Sequence, residues 1–475
     1  VDRPDPSPID KPFLCPPENG FRWKIMDESQ HSCFDSLSKN VGRFDMTNKT
    51  VLIPEMNRIG GHLLAATFRG YGVQAKVMET FKGQDLGMAY TSGKECYPCQ
   101  VTMGDILHYL GEEKSRKGEA FHPEDYVYFM PESDGPCRFG MYNKFQRIIL
   151  DSFPNLRKVK IGALTAEDAY SLAGVVDEAR VSDLRKTAYL SVVVADILDR
   201  LLWRIRPYEK EAGITDSFIE DSMEVMAQAF ETYGPETDYD PILLEMEALI
   251  EAGKALMDPL IPPKPLIGIV GEIYLRTHVH ANQDLIRLLE RHGAEVVNAS
   301  IAEWVNYISY DGYREAKTDL KLSLKQIRFS ELKKALSRML HFGGDLLFKQ
   351  YWQDKVYSRV RSRIDLWTDH RVAELEEILV KTDLFTFDIS TETCLSIAGI
   401  VKCASEGYNG VVNVYPFTCM PSTATSAIVK PLMNKQGLPY LDTPYDSSIQ
   451  PGREGAVRTF MYQAHQHWRR NGRRA

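Results

Sequence analysis

Four cysteines stand where a thiol can do chemistry. Cys96 and Cys99 form a C-x-x-C in Glu95-Cys96-Tyr97-Pro98-Cys99-Gln100, directly before a helix-like run from Val101 to Leu110. Cys137 lies in Ser133-Asp134-Gly135-Pro136-Cys137-Arg138-Phe139-Gly140, between a strand pattern (Tyr126 to Met130) and a helix pattern (Tyr142 to Leu150). Cys419 lies in Pro416-Phe417-Thr418-Cys419-Met420-Pro421, after a strand pattern (Val411 to Tyr415) and before a helix expected from Ser422 to Asn434. Pro421 suits the first turn of that helix. Each peptide places a thiol near a helix N-terminus. Two also place it at the C-terminal end of a strand, the edge where open α/β sheets bind ligands. The free N–H groups and partial positive charge of a helix N-terminus favour a thiolate and predict lowered thiol pKa values. Such thiolates suit an iron–sulfur cluster. A structural zinc site or a redox dithiol fits the C-x-x-C equally well.

The remaining candidates carry weaker signals. Cys394 and Cys403 fall in one helix pattern and read as small buried hydrophobes. Cys15 and Cys33 lie in a Pro-rich opening segment and read as inert thiols or extra ligands. Beside Cys137, Asp134 is a candidate proton donor and Arg138 a counter-charge, with Glu132 nearby. Glu272, followed by Tyr274, comes after a strand end and is the third catalytic candidate. Each of these also fits a solvated loop. His278 and His280 read as a metal pair or as surface histidines. Arg58 and His62 read as phosphate contacts or as part of a helix cap.

The elements that must hold these residues follow from periodicity. Val51 to Ile53, a Gly60-Gly61 loop, an amphipathic stretch from Leu63 to Arg69 and Val73 to Val77 make a β–α–β unit. The layout returns with Ile267 to Val270, Leu285 to Arg291 and Ala294 to Val297. The expected fold class is therefore α/β, with two Rossmann-like parallel-sheet domains and helical inserts. The expected division is an extension over 1–48, a first α/β domain over 49–164 and a helical region over 165–262. A second α/β domain follows over 263–465, with a helical insert at about 330–380, and then a basic tail over 466–475. The Pro259, Pro262, Pro263 and Pro265 cluster marks the main boundary. Leu384 to Asp388 and Leu438 to Leu441 are further expected strands.

Composition narrows the function. The chain has 475 residues, of which 44% are hydrophobic and 26% charged, so it has material for real cores. Its formal charge of −8 lacks the basic surplus of a nucleic-acid reader. Arg469, Arg470, Arg473 and Arg474 read as a solvated tail. No apolar run reaches membrane-spanning length. The polar opening Val1-Asp2-Arg3-Pro4 has no export signal, which gives the expectation of a cytoplasmic protein with reduced thiols.

The three cysteine peptides together resemble the signature segments of acyl-CoA dehydratase activase-related proteins. These are relatives of 2-hydroxyacyl-CoA dehydratase subunits and of double-cubane-cluster proteins. Gly271-Glu272-Ile273-Tyr274 through Asn282 and the segment from Leu438 through Arg458 to Phe460 resemble the dehydratase subunits too, so the likeness runs from about 50 to 465. The resemblance implies a low-potential iron–sulfur cluster between two α/β domains, with Cys96, Cys99, Cys137 and Cys419 as ligands. It implies a separate ATPase activase, itself a dimer bridging a [4Fe-4S] cluster, that supplies single electrons for a difficult reduction. No Gly-rich phosphate loop is present, so that ATPase is expected on another polypeptide. Dehydratase subunits hold a cubane with three cysteines and leave one iron for substrate, making a radical dehydration the alternative. A double cubane wants two thiolates more, from Cys15, Cys33, Cys394 or Cys403. A homodimer and an anaerobic setting are further implications. A zinc-stabilised, non-enzymatic scaffold is the remaining alternative.

Overall fold

Leu266-Ile267-Gly268-Ile269-Val270-Gly271 is buried at every position, as a parallel strand covered on both faces must be. Tyr126 to Phe129 is buried in the same way. These two strands anchor two sheets in a computed structural model that describes residues 37–472 apart from 38, 44, 45, 47, 134, 166–169 and 171. Cys15, Cys33, Asp134, Arg473 and Arg474 lie outside the described residues.

The first unit runs β1 (Val41–Gly42), β2 (Thr50–Ile53), α1 (Arg58–Gly70), β3 (Gln74–Val77), α2 (Gln84–Tyr90), α3 (Tyr97–Lys117), β4 (Tyr126–Phe129), α4 (Tyr142–Ser152) and β5 (Lys160–Gly162). A helical layer follows, with α5 (Glu178–Ile205), α6 (Ile214–Tyr233) and α7 (Asp240–Lys254). The second unit begins with β6 (Leu266–Gly271), α8 (Ile273–Thr277), α9 (Leu285–Arg291) and β7 (Glu295–Asn298). It continues with α10 (Ile301–Gln326), α11 (Phe329–Arg361), α12 (Val372–Thr382) and α13 (Glu392–Glu406). It closes with β8 (Gly410–Pro416), α14 (Met420–Gln436), β9 (Tyr440–Tyr445) and α15 (Arg453–Asn471).

Both sheets are parallel throughout, in the orders β1-β5-β4-β2-β3 and β7-β6-β8-β9. Val51 pairs with Val127 in the first, and Ile269 with Val412 in the second. Read from β3, the first sheet repeats the second: β3-β2-β4-β5 matches β7-β6-β8-β9. In each, the chain leaves the first strand to one side and returns on the other. The topological switch points therefore fall between β2 and β4, and between β6 and β8.

One apolar core joins α1 to the helical layer, with Ile59 and Leu63 packing among Leu190, Val194, Met226 and Ile242. Another contains Tyr97 and Val101 from the first unit with Ile267, Tyr274 and Leu275 from the second, so the start of α3 is shared between the units. Among the described residues no helix is long and apolar enough to cross a membrane.

Several elements differ from expectation. Leu384 to Asp388 forms bends and a turn rather than a strand. Phe387 is 2% exposed and packs against the Tyr307 and Tyr310 rings, which fixes the segment by side-chain burial. The second helical insert starts at Ile301, because Ser300 caps it by accepting from Glu303 N at 3.0 Å. Residues 172–176 make a turn closed by a bridge between Ala173 and Val176 instead of helix. Val41–Gly42, from the segment read as an extension, pairs with β5. Arg469 and Arg470 complete the last turn of α15, where cations favour the helix dipole.

Candidate functional site

A cavity of about 550 Å³ opens where the two switch points face each other. After β2 it is lined by Pro54, Met56 and Asn57, and after β4 by Met130, Ser133, Cys137 and Arg138. Glu272 and Ile273 after β6, and Thr418 and Cys419 after β8, complete that wall, with Cys96 joining them. Cys96, Cys137 and Cys419 thus come together on one cavity from both units. Cys99 does not line it. The thiol of Cys99 is fully buried in the core of the first unit with Leu52, Met103 and Tyr128.

Local structure explains each placement. Cys96 precedes α3 as its N-cap, with Pro98 in the first turn. Cys137 is the N-cap of a short 3-10 turn over Arg138–Met141, and Cys419 is the N-cap of α14. Gly135 has φ +81°, and a side chain there would start 2.1 Å from the Ser390 carbonyl. Only glycine lets the Cys137 loop lie against the second unit so closely. Cys96 has φ +98°, a conformation that side chains rarely adopt and that clusters at functional sites.

Topology pairs the thiols. Cys137 follows β4 as Cys419 follows β8. Cys96 caps the helix leading to β4, as Thr391 caps the helix leading to β8. Thr391 also lines the cavity, so the fourth equivalent corner carries a hydroxyl instead of a thiol. Its Oγ1 accepts from Thr393 N at 3.0 Å.

Electrostatics reverses one expectation. Burial pushes the Cys96 and Cys137 thiols up to about 12, and the Cys419 thiol well above its usual range. Glu272 adds to the rise at Cys96 and Glu392 to that at Cys137 and Cys419. The helix termini do not lower these thiols, because desolvation of the thiolate outweighs them. Tyr142 hydrogen-bonds to Cys96 and partly offsets the effect.

Glu272, the predicted candidate, caps α8 by accepting from Tyr274 N at 3.1 Å and Leu275 N at 2.9 Å. Glu392, which sequence reasoning missed, accepts from Ile273 N at 3.1 Å. Burial raises both carboxyls, and Glu272 raises Glu392 further. Such a pair can hold a proton beside the thiols. No motif spacing marked Glu392; the only signal is its place behind a Thr cap. Glu132 is tied to Asn143 at 2.8 Å and to Lys144, away from the cavity lining. Arg58 pairs with Glu220 at 2.7 Å, and His62 Nδ1 lies 2.8 Å from the Arg58 carbonyl. His280 stacks on Phe81. His278 Nδ1 accepts from Ala281 N at 3.0 Å, which leaves Nε2 to donate to Thr80 Oγ1 at 2.8 Å. Cys394 and Cys403 are buried within α13, as small hydrophobes are.

The three thiols are free of disulfides. Among the described residues, no three His, Cys, Asp or Glu side chains converge on one ion position. A single zinc, about 2.3 Å from each thiolate, needs such convergence. Cys96, Cys137 and Cys419 line one cavity without forming such a group, and thiolate is the usual ligand of iron–sulfur clusters. No protein-family model and no curated protein matches the chain.

Proposed function

We propose that this chain is an iron–sulfur protein that accepts low-potential electrons from a separate ATP-hydrolysing activase and uses them to reduce a small substrate in the cavity. The observation that carries the reading is the convergence of Cys96, Cys137 and Cys419 on one cavity at both switch points. When bound, the cluster would supply single-electron transfer at low potential. The chain's own residues do the rest. The three thiols would hold the group, and Arg138 ties their peptides together by donating to the Lys94 and Thr418 carbonyls. Glu272 and Glu392, whose carboxyls burial raises, are the groups placed to supply a proton at the substrate.

One observation favours a second reading, a 2-hydroxyacyl-CoA dehydratase type of radical dehydration. Three thiols line the cavity rather than four, and Thr391 occupies the equivalent fourth corner. A three-thiol site leaves one metal position for substrate.

The test is iron and acid-labile sulfide per chain on anaerobically purified protein, with an EPR spectrum after reduction. About four irons per chain are expected. Cys96→Ala, Cys137→Ala and Cys419→Ala should each lose iron, whereas Cys403→Ala and Cys99→Ala keep it. Zinc, or no metal, would discard the reading. A spectral change on adding a 2-hydroxyacyl-CoA would select the dehydratase.

A further inference from the structure

The same cavity has a cationic wall that the thiol chemistry does not use. One face of α5 lines it through Arg185, Ala188, Tyr189, Val192, Ala195 and Asp196. Those eleven steps make about 16 Å of helix. Lys349 from α11 joins this wall and is 3% exposed. Its ammonium pairs with Asp345 at 2.8 Å and donates to Ser309 Oγ at 2.7 Å and Val305 O at 3.2 Å, so its three donors are all used. Arg185 pairs with the same Asp345, yet its Nε is buried with no hydrogen-bond partner.

Two cations therefore share one carboxylate, which leaves the group net positive. Asp196 is the other charged group on this face. It accepts from Ile301 N at 2.9 Å and Ala302 N at 2.8 Å, and burial raises its pKa towards the neutral acid. It does not cancel the positive charge. The Arg185 side chain lines the cavity and is 23% exposed. A carboxylate fits a guanidinium best, through its planar fork. The rest of the lining is mainly apolar, with Leu64, Leu164, Leu172 and Trp304 among it. The volume falls in the range of pockets that enclose a small organic ligand.

We propose that the cavity binds a small organic monocarboxylate with an apolar body, its carboxylate on Arg185 and its body along Val192 and Trp304, as the substrate class offered to the thiol-bearing wall. The substrate role rests on the reductase reading; the binding does not.

Calorimetric titration of the full chain with 3-phenylpropanoate and its uncharged amide tests this. The carboxylate should bind at least about tenfold more tightly than the amide, and Arg185→Gln should abolish that preference. Val192→Trp, which adds bulk to the cavity lining while keeping Arg185, should weaken both probes by more than about tenfold. Should Arg185→Gln fail to fold, the two probes on the wild-type chain still decide, and Arg185→Lys should show an intermediate preference. Equal binding of acid and amide, no binding of the acid at millimolar concentration, or full affinity in a folded Arg185→Gln would each overturn the site. Arg185-dependent binding by a chain without iron would uphold the site and discard the reductase. Iron without carboxylate binding would do the reverse.

Discussion

Arg138 joins Thr418 across the cavity: its Nη2 donates to the Thr418 carbonyl at 2.6 Å, between residues 280 positions apart. The other arm of the guanidinium donates to the Lys94 carbonyl. Arg138 follows Cys137, Thr418 precedes Cys419, and Lys94 stands two residues before Cys96. One planar side chain thus sets the relative positions of all three thiol peptides.

Arg138→Ala removes both links. Hydrogen bonds to a charged donor contribute about 1.5–3 kcal/mol, and the exposure of this one puts the expected loss near the lower end. Iron per chain should fall with it. Arg138→Lys cannot reach two carbonyls in fixed directions and should not restore the iron. Unfolding by denaturant and iron analysis check this; wild-type values for both would remove Arg138 from the site.

Cys96 pays a conformational cost for its position, since φ +98° suits glycine. Cys96→Gly and Cys96→Ala both lose the thiol, but only glycine relieves the strain. Cys96→Gly should be the more stable of the two by about 1 kcal/mol or more. Coincident denaturation midpoints would show that the backbone stores no strain there.

Gly135 and Gly93 separate backbone strain from collision. Both have positive φ, but a side chain at Gly93 meets open space while one at Gly135 meets the Ser390 carbonyl at 2.1 Å. Gly93→Ala should cost about 1 kcal/mol. Gly135→Ala should cost clearly more and speed proteolysis between the units. Equal losses in both variants would mean that the Cys137 loop can move away from Ser390 freely.

Asp105 gives a pH signature. Burial raises its carboxyl from 3.8 to about 7, against the bonds from Thr80 Oγ1 and Phe81 N. The folded value lies above the unfolded one, so the folded chain binds the extra proton between them. Its contribution is full below pH 3.8 and is lost as pH rises to about 7, with a slope of at most about 1.4 kcal/mol per pH unit. His278 has the opposite sign: burial lowers it from 6.5 to about 3, so its contribution is lost as pH falls. The stability difference between wild type and Asp105→Asn, followed from pH 4 to 8, isolates the carboxyl. A flat difference would contradict the raised value.

Much of the fold is legible because its cues are local. Leu266 to Gly271 reads as a buried strand from apolar content alone, and Pro421 marks the first turn of α14. Phe385 and Phe387 mislead for a similar reason: alternating aromatics imitate a strand, whereas the Tyr307 and Tyr310 rings hold Phe387 in a turn. β1 and β5 have too few residues to show a period, and only their pairing defines them.

By itself the sequence determined two parallel-sheet units and set Cys137 and Cys419 at strand ends, because periodicity and turn residues act within a few positions. Only tertiary structure decided which groups share the cavity. Cys99 lies in the first turn of α3 and turns into the core, while Cys96, outside the helix at φ +98°, stays on the lining. Arg185, Lys349, Thr391 and Glu392 reach the same cavity from distant helices, where packing of whole elements, rather than any local spacing, brings them together.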